Sequence, residues 1–319
     1  MYHAARARGQ VLYHAVSDNS AAITAVSGSQ AAYTTNLAYD ALNRPLTVSW
    51  DPAPVQATPT AATVSMAHSY DASNRRIGQA ISDTNWWTPP SVGSITNYSA
   101  NNLNQYTALA TVHPSAGTVN PTHDNNGNLA FDGVFTYGYD TENRLTQISN
   151  GGTVATYQSD AQGRRKSKTV GSTTTNYITD GDNRVALEYD GTTGTVQRWY
   201  VYGAGGNDVL NRLDVAAATR ATLIPDIQGS FIGRLDATTA SLSTSGYLPF
   251  GGNSTDTASG FRYTAQQLDP ETVGSTSQPG GLYYYRARTY APDWGRFLQP
   301  DPIGYADGGI SMLMWATIR

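Results

Sequence analysis

Cysteine is absent from the 319 residues, which excludes disulfides and thiolate metal ligation and leaves the redox compartment open. Lysine is nearly absent too. Only Lys166 and Lys168 occur, charged residues make up 14% of the chain, and the formal net charge is −4. No basic stripe of the kind that follows a phosphate backbone can be drawn, so nucleic acid is not an expected partner. No apolar run is long enough to cross a membrane as a helix. The opening MYHAARARGQVLYHAV carries two arginines but neither the apolar stretch nor the cleavage site of a secretory signal. Export is therefore expected to depend on a signal elsewhere or on another route.

What is abundant points to strands and turns. Tyrosine occurs 21 times against 6 phenylalanines, alongside 31 glycines and many Thr and Val. With so few charges, the surface must be built from Thr, Ser, Asn, Gln and Tyr. The expected fold class is all-β, successive antiparallel hairpins with almost no helix.

A turn is repeated along the chain. YDALNR (Tyr39 to Arg44), YDASNR (Tyr70 to Arg75) and YDTENR (Tyr139 to Arg144) are copies of one unit. Looser copies are HDNNGN at His123, SDAQGR at Ser159, TDGDNR at Thr179 and NDVLNR at Asn207. Of 21 aspartates, 9 have Asn or Gly three positions on, where composition alone gives roughly three. An aspartate that opens a type I turn accepts backbone amides just after it. The residue three positions later must then be left-handed, which Gly and Asn tolerate. The spacing thus predicts a bulged hairpin loop, with positive φ at Asn43, Asn74, Asn143, Asn183 and Gly163. The residues of the unit are Asp40, Asn43 and Arg44; Asp71, Asn74 and Arg75; Asp140, Asn143 and Arg144; Asp160, Gly163 and Arg164; Asp180, Asn183 and Arg184. Arginine follows the left-handed residue six times, where it can cover a Tyr ring or pair with the turn aspartate.

Tyr-Asp followed by Asn-Arg or Gly-Arg at roughly 20-residue intervals resembles the YD repeats of RHS proteins, which are related to teneurin YD shells and to the C component of insecticidal toxin complexes. The resemblance covers residues 30 to 310 and is weaker between Pro52 and Pro121, where longer loops are expected. PDIQGSFIGRLDATTASLSTSGYLPFGG (Pro225 to Gly252) is similar to the unit that precedes the family's core. FRYTAQQLDPET (Phe261 to Thr272) and GLYYYRARTYAPDWGRFLQPDPIGYADG (Gly281 to Gly308) are similar to the RHS repeat-associated core itself, with VGSTSQPG (273–280) as a loop insertion. The division this implies is 1–30 as an N-terminal segment, 31–224 as repeats, 225–310 as core and 311–319 as an out-of-frame tail.

LYYYRARTY alternates as one strand, with Leu282, Tyr284, Arg286, Arg288 and Tyr290 on one face and Tyr283, Tyr285, Ala287 and Thr289 on the other. Arg286 and Arg288 are expected to pack over tyrosine rings. Asp293-Trp294-Gly295-Arg296 reads as a tight turn before Phe297, and Pro300 and Pro302 impose an extended exit.

The resemblance implies a structural shell segment of a polymorphic toxin or cell-surface protein. Its hollow cage would hold a C-terminal toxin until a delivery apparatus releases it, in a secreted or surface-exposed protein of intercellular competition. In many members the core also cuts the chain, with aspartates from two DPxG motifs. Here only the first, Asp301-Pro302-Ile303-Gly304, is present. Two carboxylates sharing a proton can activate water; one cannot, so Asp301 is expected to be an inactive turn residue and the chain not to be an enzyme. After Ile310 the tail SMLMWATIR departs from the family pattern. Read from the third base of Ser311, permitted codons spell Asn-Ala-Tyr-Val-Gly-Asn-Asp-Pro, so a one-base shift is expected there and the chain is expected to be a fragment that self-associates through open strand edges.

Other chemistry is thin. The histidines at 3, 14, 68, 113 and 123 show no metal spacing and read as surface or loop residues. Gly203-Ala204-Gly205-Gly206 lacks the lysine of a phosphate loop. No cofactor is expected. Two further readings stand beside the shell: a self-cleaving aspartyl core, and a surface adhesion or carbohydrate-binding module that uses exposed tyrosines, for which Trp86 and Trp87 beside Pro89 and Pro90 are the residues to change, although that pair is expected to pack at a loop base.

Overall fold

A computed structural model describes residues 3–7, 10–17, 20–27, 30–51, 63–86, 95–113, 117–203, 205, 207–236, 241–256 and 260–302. These are almost entirely strand, with 3-10 turns at Thr84–Trp86, Tyr263–Ala265 and Pro270–Thr272. Gly304 and the 311–319 tail lie outside the described residues. So does Trp87.

Two compact units divide the described residues, one of 3–86 with 198–246 and the other of 95–197 with 247–302. In the first, seven strands from His3–Ala7 to Arg76–Ile81 lie side by side in chain order. Each paired neighbour is antiparallel, the pattern that consecutive hairpins impose. Alternate residues turn inward, so that Val48 and Trp50 on Pro45–Asp51 and Val64 and Met66 on Val64–Tyr70 are buried. The strands from Val209–Asp214 to Leu242–Thr244 follow the same order. Trp86 is 3% exposed. A Cβ at Gly233 would lie 2.8 Å from its Cζ3, so the indole lies on bare backbone and is not offered to a sugar.

The second unit holds a three-stranded sheet (Ile95–Ala100, Tyr106–His113, Gly117–Val119), eight strands from Thr122–His123 to Val185–Asp190, and a five-stranded sheet from Gly260–Phe261 to Arg296–Phe297. One core joins repeat strands to the closing segment: Leu109, Leu129, Tyr137, Leu145, Ile148 and Tyr157 pack with Leu282, Ala291, Trp294 and Leu298. All five histidines lie on strands, which corrects the loop reading, and His68 is 6% exposed, which corrects the surface reading for that residue. Burial pulls the His68 imidazole down to about 4, with the Arg76 charge assisting.

The repeated turns share one geometry. In YDALNR the Asp40 amide donates to the Arg44 carbonyl at 2.9 Å and the Asn43 amide to the Asp40 carbonyl at 3.0 Å. Asp40 Oδ1 accepts the Leu42 and Arg44 amides at 2.9 Å each, and Oδ2 accepts Arg44 Nε at 2.6 Å. The same set recurs at Asp71, Asp140, Asp160 and Asp180, where Arg75, Arg144, Arg164 and Arg184 donate Nε at 2.6 to 2.7 Å. The left-handed residues are Asn43 (65°), Asn74 (63°), Asn143 (60°), Gly163 (78°) and Asn183 (58°). Register shifts at the residue before each turn mark the bulge.

The turn also explains its tyrosine. Tyr70 Oη donates to the Pro45 carbonyl at 2.8 Å and Tyr139 Oη to the Leu129 carbonyl at 2.7 Å, so each tyrosine reaches back to the first strand residue after the preceding turn. Arg44 lies 4.8 Å from the Tyr70 ring centroid while its Nη1 donates to the Asp71 carbonyl at 3.2 Å and to Asn74 Oδ1 at 3.0 Å. Arginine therefore closes its own turn and ties it to the next.

Three departures refine the repeat. ANNLNQ at Asn101 builds the same turn without aspartate: Asn101 Oδ1 accepts the Leu103 and Gln105 amides, Asn101 Nδ2 donates to Gln105 Oε1 at 2.7 Å, and Asn104 sits at φ 58°. Asp226 builds it with Ser230 in place of arginine, and burial pushes its carboxyl up to about 6 against the amides of Ser230 and Gln228. NDVLNR does not build it. Val209–Asp214 is a strand, and buried Asn211 accepts a hydrogen bond from Thr222 Oγ1 at 3.0 Å.

Gly163→Val tests the shared backbone. A Cβ there would meet nothing nearer than Arg144 Cδ at 3.9 Å, so the Cβ itself is not crowded and the positive φ is the main source of the expected loss. A cost of about 1 kcal/mol or more is expected in thermal melts, and a neutral result would refute the shared geometry.

Candidate functional site: the closing segment

LYYYRARTY is not one strand. Leu282–Tyr285 and Arg288–Ala291 form a hairpin that pairs Tyr283 with Tyr290, Tyr284 with Thr289 and Tyr285 with Arg288. The break falls at Arg286-Ala287, with Arg286 at φ 60°, a position that Gly or Asn usually fills. Tyr290 therefore shares a face with Tyr283 and Tyr285, not with Tyr284.

That face is an aromatic cluster. Tyr290 lies 5.2 Å from Tyr285, 5.4 Å from Phe297 and 6.4 Å from Tyr263, centroid to centroid. Buried hydroxyls need acceptors, and the LPFGG stretch provides them as carbonyls: Pro249 for Tyr263 (3.2 Å), Phe250 for Tyr290 (3.0 Å) and Gly251 for Tyr283 (3.4 Å). Burial pushes the Tyr290 and Tyr285 phenols well up. The stretch 273–280 is a docked strap: Ser277 Oγ donates to buried Asp132 Oδ2 at 2.9 Å, and Gln278 is fully buried.

Opposite the aromatic face, a buried charge cluster fastens the closing segment to the repeat strands. Arg165, 5% exposed, donates from Nη1 and Nη2 to Asp269 Oδ1 and Oδ2 at 2.7 and 2.9 Å. Its guanidinium lies between the Tyr157 and Tyr284 rings, 4.3 and 4.1 Å from their centroids. Lys168 Nζ donates to Asp269 Oδ1 and Glu271 Oε2, each at 3.1 Å, and Tyr157 Oη donates to Glu271 Oε1 at 3.1 Å. Burial alone would raise the Asp269 carboxyl, but Arg165 and Lys168 outweigh it and hold it below the usual range. Glu271 is raised, by burial and by Asp269.

The remaining core residues fall into place around this. Arg288 Nη2 donates to Asp301 Oδ2 at 2.8 Å, with both side chains mostly buried, and its guanidinium carbon lies 3.7 Å from the Phe297 centroid. Asp301 is thus ion-paired, more than a turn residue, and the ring under Arg288 is phenylalanine, not tyrosine. Arg296 lies 3.6 Å from the Tyr106 centroid and donates to the Asn104 carbonyl and Oδ1. Gly295, at φ 64°, closes the turn after Asp293. Pro302 follows Asp301 at the edge of the described residues.

Among the described residues no three His, Asp or Glu side chains are grouped to hold a metal. No helix of the described residues is long and apolar enough to cross a membrane. Arg165, Lys168, Asp269 and Glu271 were not singled out from the sequence. The available signal was scarcity: Lys168 is one of only two lysines, and Glu271, in the quoted QLDPET, is one of only three glutamates.

No protein-family model matches the chain. Among curated proteins it is 31% identical to the tRNA nuclease WapA of Bacillus subtilis over 196 residues, 59% of this chain and 8% of WapA. It is 44% identical over 63 residues to salivary gland surface protein 1 of Aedes aegypti, 18% of this chain and 2% of that protein. The chain therefore spans less than a tenth of either relative. Among solved structures, the Photorhabdus luminescens Tc holotoxin pore superposes with a TM-score of 0.61 at 15% identity, covering 97% of this chain and 20% of that one. At that identity the likeness is one of fold. The repeated Tyr-Asp turns and the tyrosine-rich closing segment thus stand on an all-β hairpin fold shared with the Tc holotoxin chain.

Proposed function

We propose that the chain is a wall segment of a larger RHS shell that encloses and delivers a C-terminal toxin domain, and that it has no turnover of its own. The observation that carries this is the coupling of one turn to the next through arginine and tyrosine, together with the Arg165–Asp269 pair that fastens the closing segment to the repeat strands. Charged and aromatic groups are spent on holding strands together. The delivery apparatus, secretion and surface location follow from the same reading. To test it, the DNA on both sides would be sequenced and the whole locus expressed. A C-terminal domain protected from added protease supports the shell; a locus with neither further repeats nor a following domain sinks it.

A second reading, the self-cleaving core, is favoured by one observation: Asp301 is held in a fixed place by Arg288. Lacking a second aspartate motif, the purified chain is expected to keep its 34.1 kDa mass, with Asp301→Asn making no difference. Spontaneous cleavage that Asp301→Asn abolishes would favour the second reading.

A further inference from the structure

Lys168 lies on the repeat strand Arg165–Val170. Its Nζ is 3.1 Å from Glu271 Oε2, in the short turn Pro270–Thr272, and 3.1 Å from Asp269 Oδ1. None of the three side chains is more than 13% exposed. We propose that Lys168 and Glu271 condense into an isopeptide bond, with Asp269 as the base, so that the closing segment becomes covalently joined to the repeat strands. This is one self-modification per chain and not turnover.

Three observations carry the inference. The first is placement. A primary amine held against a carboxyl, one bond from the carbon it attacks, meets that carbon at an effective concentration of about 10⁵ M or more. Burial of all three groups also keeps out the water that would reverse the step. The second is the division of labour between two neighbouring carboxylates. Burial raises Asp269, but Arg165 and Lys168 outweigh it and keep the group ionised. Burial raises Glu271 towards the acid form, and Asp269 adds to this. Carboxyl groups pushed apart in this way separate into a base and an acid. Burial favours the neutral amine of Lys168, and Asp269 overcomes it to hold the ammonium. The carboxylate that holds this proton is therefore also the base placed to receive it. The third is a donor in the right place. Tyr157 Oη donates to Glu271 Oε1 at 3.1 Å, the oxygen that gains negative charge when the amine adds.

The ion pair and the neutral pair of amine and acid hold the same number of protons, so the step draws none from outside. One Nζ proton passes through Asp269 Oδ1 to Glu271 Oε2. The freed Nζ lone pair attacks Cδ, the Nζ–Cδ bond forms, and Oε1 takes the displaced electron pair. That pair returns as the Cδ–Oε2 bond breaks. Oε2 leaves as water, with the transferred proton and a second one from Nζ. The products are one secondary amide and one water, and nothing is oxidised or reduced.

The test is the intact mass of the full chain, first shown to be folded by circular dichroism and then measured under denaturing conditions. The expected value is one water below the sequence mass of 34.1 kDa. Trypsin does not cut at a lysine in amide linkage, so residues 167–184 and 263–286 should emerge as one branched peptide. Lys168→Arg keeps a cation between the two carboxylates but replaces the amine with a guanidinium that does not condense. Its mass should equal its own sequence value. A folded, unmutated chain that stays at its full sequence mass after prolonged incubation overturns the proposal. So does a water loss that persists in Lys168→Arg, or one that comes without the branched peptide.

Discussion

Asp269→Ala is expected to destabilise the protein by about 3–5 kcal/mol, the usual loss when one partner of a buried ion pair is removed. Asp269 is 1% exposed and takes both Arg165 nitrogens and Lys168. Its removal leaves two cations with Glu271 as the remaining carboxylate of the cluster. The guanidinium cannot move aside easily, because Tyr157 and Tyr284 hold it on both faces. A second variant separates charge from packing. Arg165→Met with Asp269→Leu leaves the Lys168–Glu271 pair balanced and should recover most of the loss, since an apolar pair of similar volume often matches a buried ion pair. Urea unfolding decides the matter. A loss below about 1 kcal/mol for Asp269→Ala would show that the closing segment is not held at this point.

The second large effect is expected at Gly280. A Cβ there would come within 2.8 Å of Gly252 Cα and 2.9 Å of the Asn253 nitrogen. Both are backbone atoms, so no rotamer change relieves the clash. The Gly280 amide also donates to Asp293 Oδ2 at 2.8 Å, and burial pushes that carboxyl up to about 6 despite the hydrogen bond. Gly280→Ala must therefore part the 273–280 strap from the LPFGG stretch, at about 2–3 kcal/mol. Gly117→Ala is the control. A Cβ there meets nothing within 4 Å and its φ is not positive, so it should stay within about 0.5 kcal/mol. Equal melts for the two variants would refute the close approach.

The repeat turns were legible because every participant lies within five residues. An aspartate, a left-handed Asn or Gly and an arginine state the geometry locally, and the all-β hairpin architecture follows from counting them. Legibility ends where a contact comes from another strand. NDVLNR has the same letters as a turn, but its asparagine is held by Thr222 in the next strand. Asn101 makes the turn without the aspartate on which the pattern was anchored. The Arg286-Ala287 break carries no Gly, Asn or Pro, because cross-strand pairing of Tyr283 with Tyr290 sets the register there. Arg164 and Arg165 are indistinguishable as adjacent letters. Strand alternation sends one to its own turn aspartate and the other to a carboxylate 104 residues away.

That separation gives the molecule a folding order. A YD hairpin closes a short loop, and each can form within microseconds of its own residues becoming free. During synthesis the repeats therefore assemble in sequence, each new turn meeting the arginine of the last and setting its own tyrosine against the strand that follows it. Asp269 emerges long after Arg165, so Arg165, Lys168 and the Tyr157 ring must wait, uncovered, for a partner about a hundred residues later. The slow step in refolding should accordingly belong to the closing segment and not to the repeats, and a chain stopped before Asp269 should offer chaperones a surface of stranded cations and bare tyrosine.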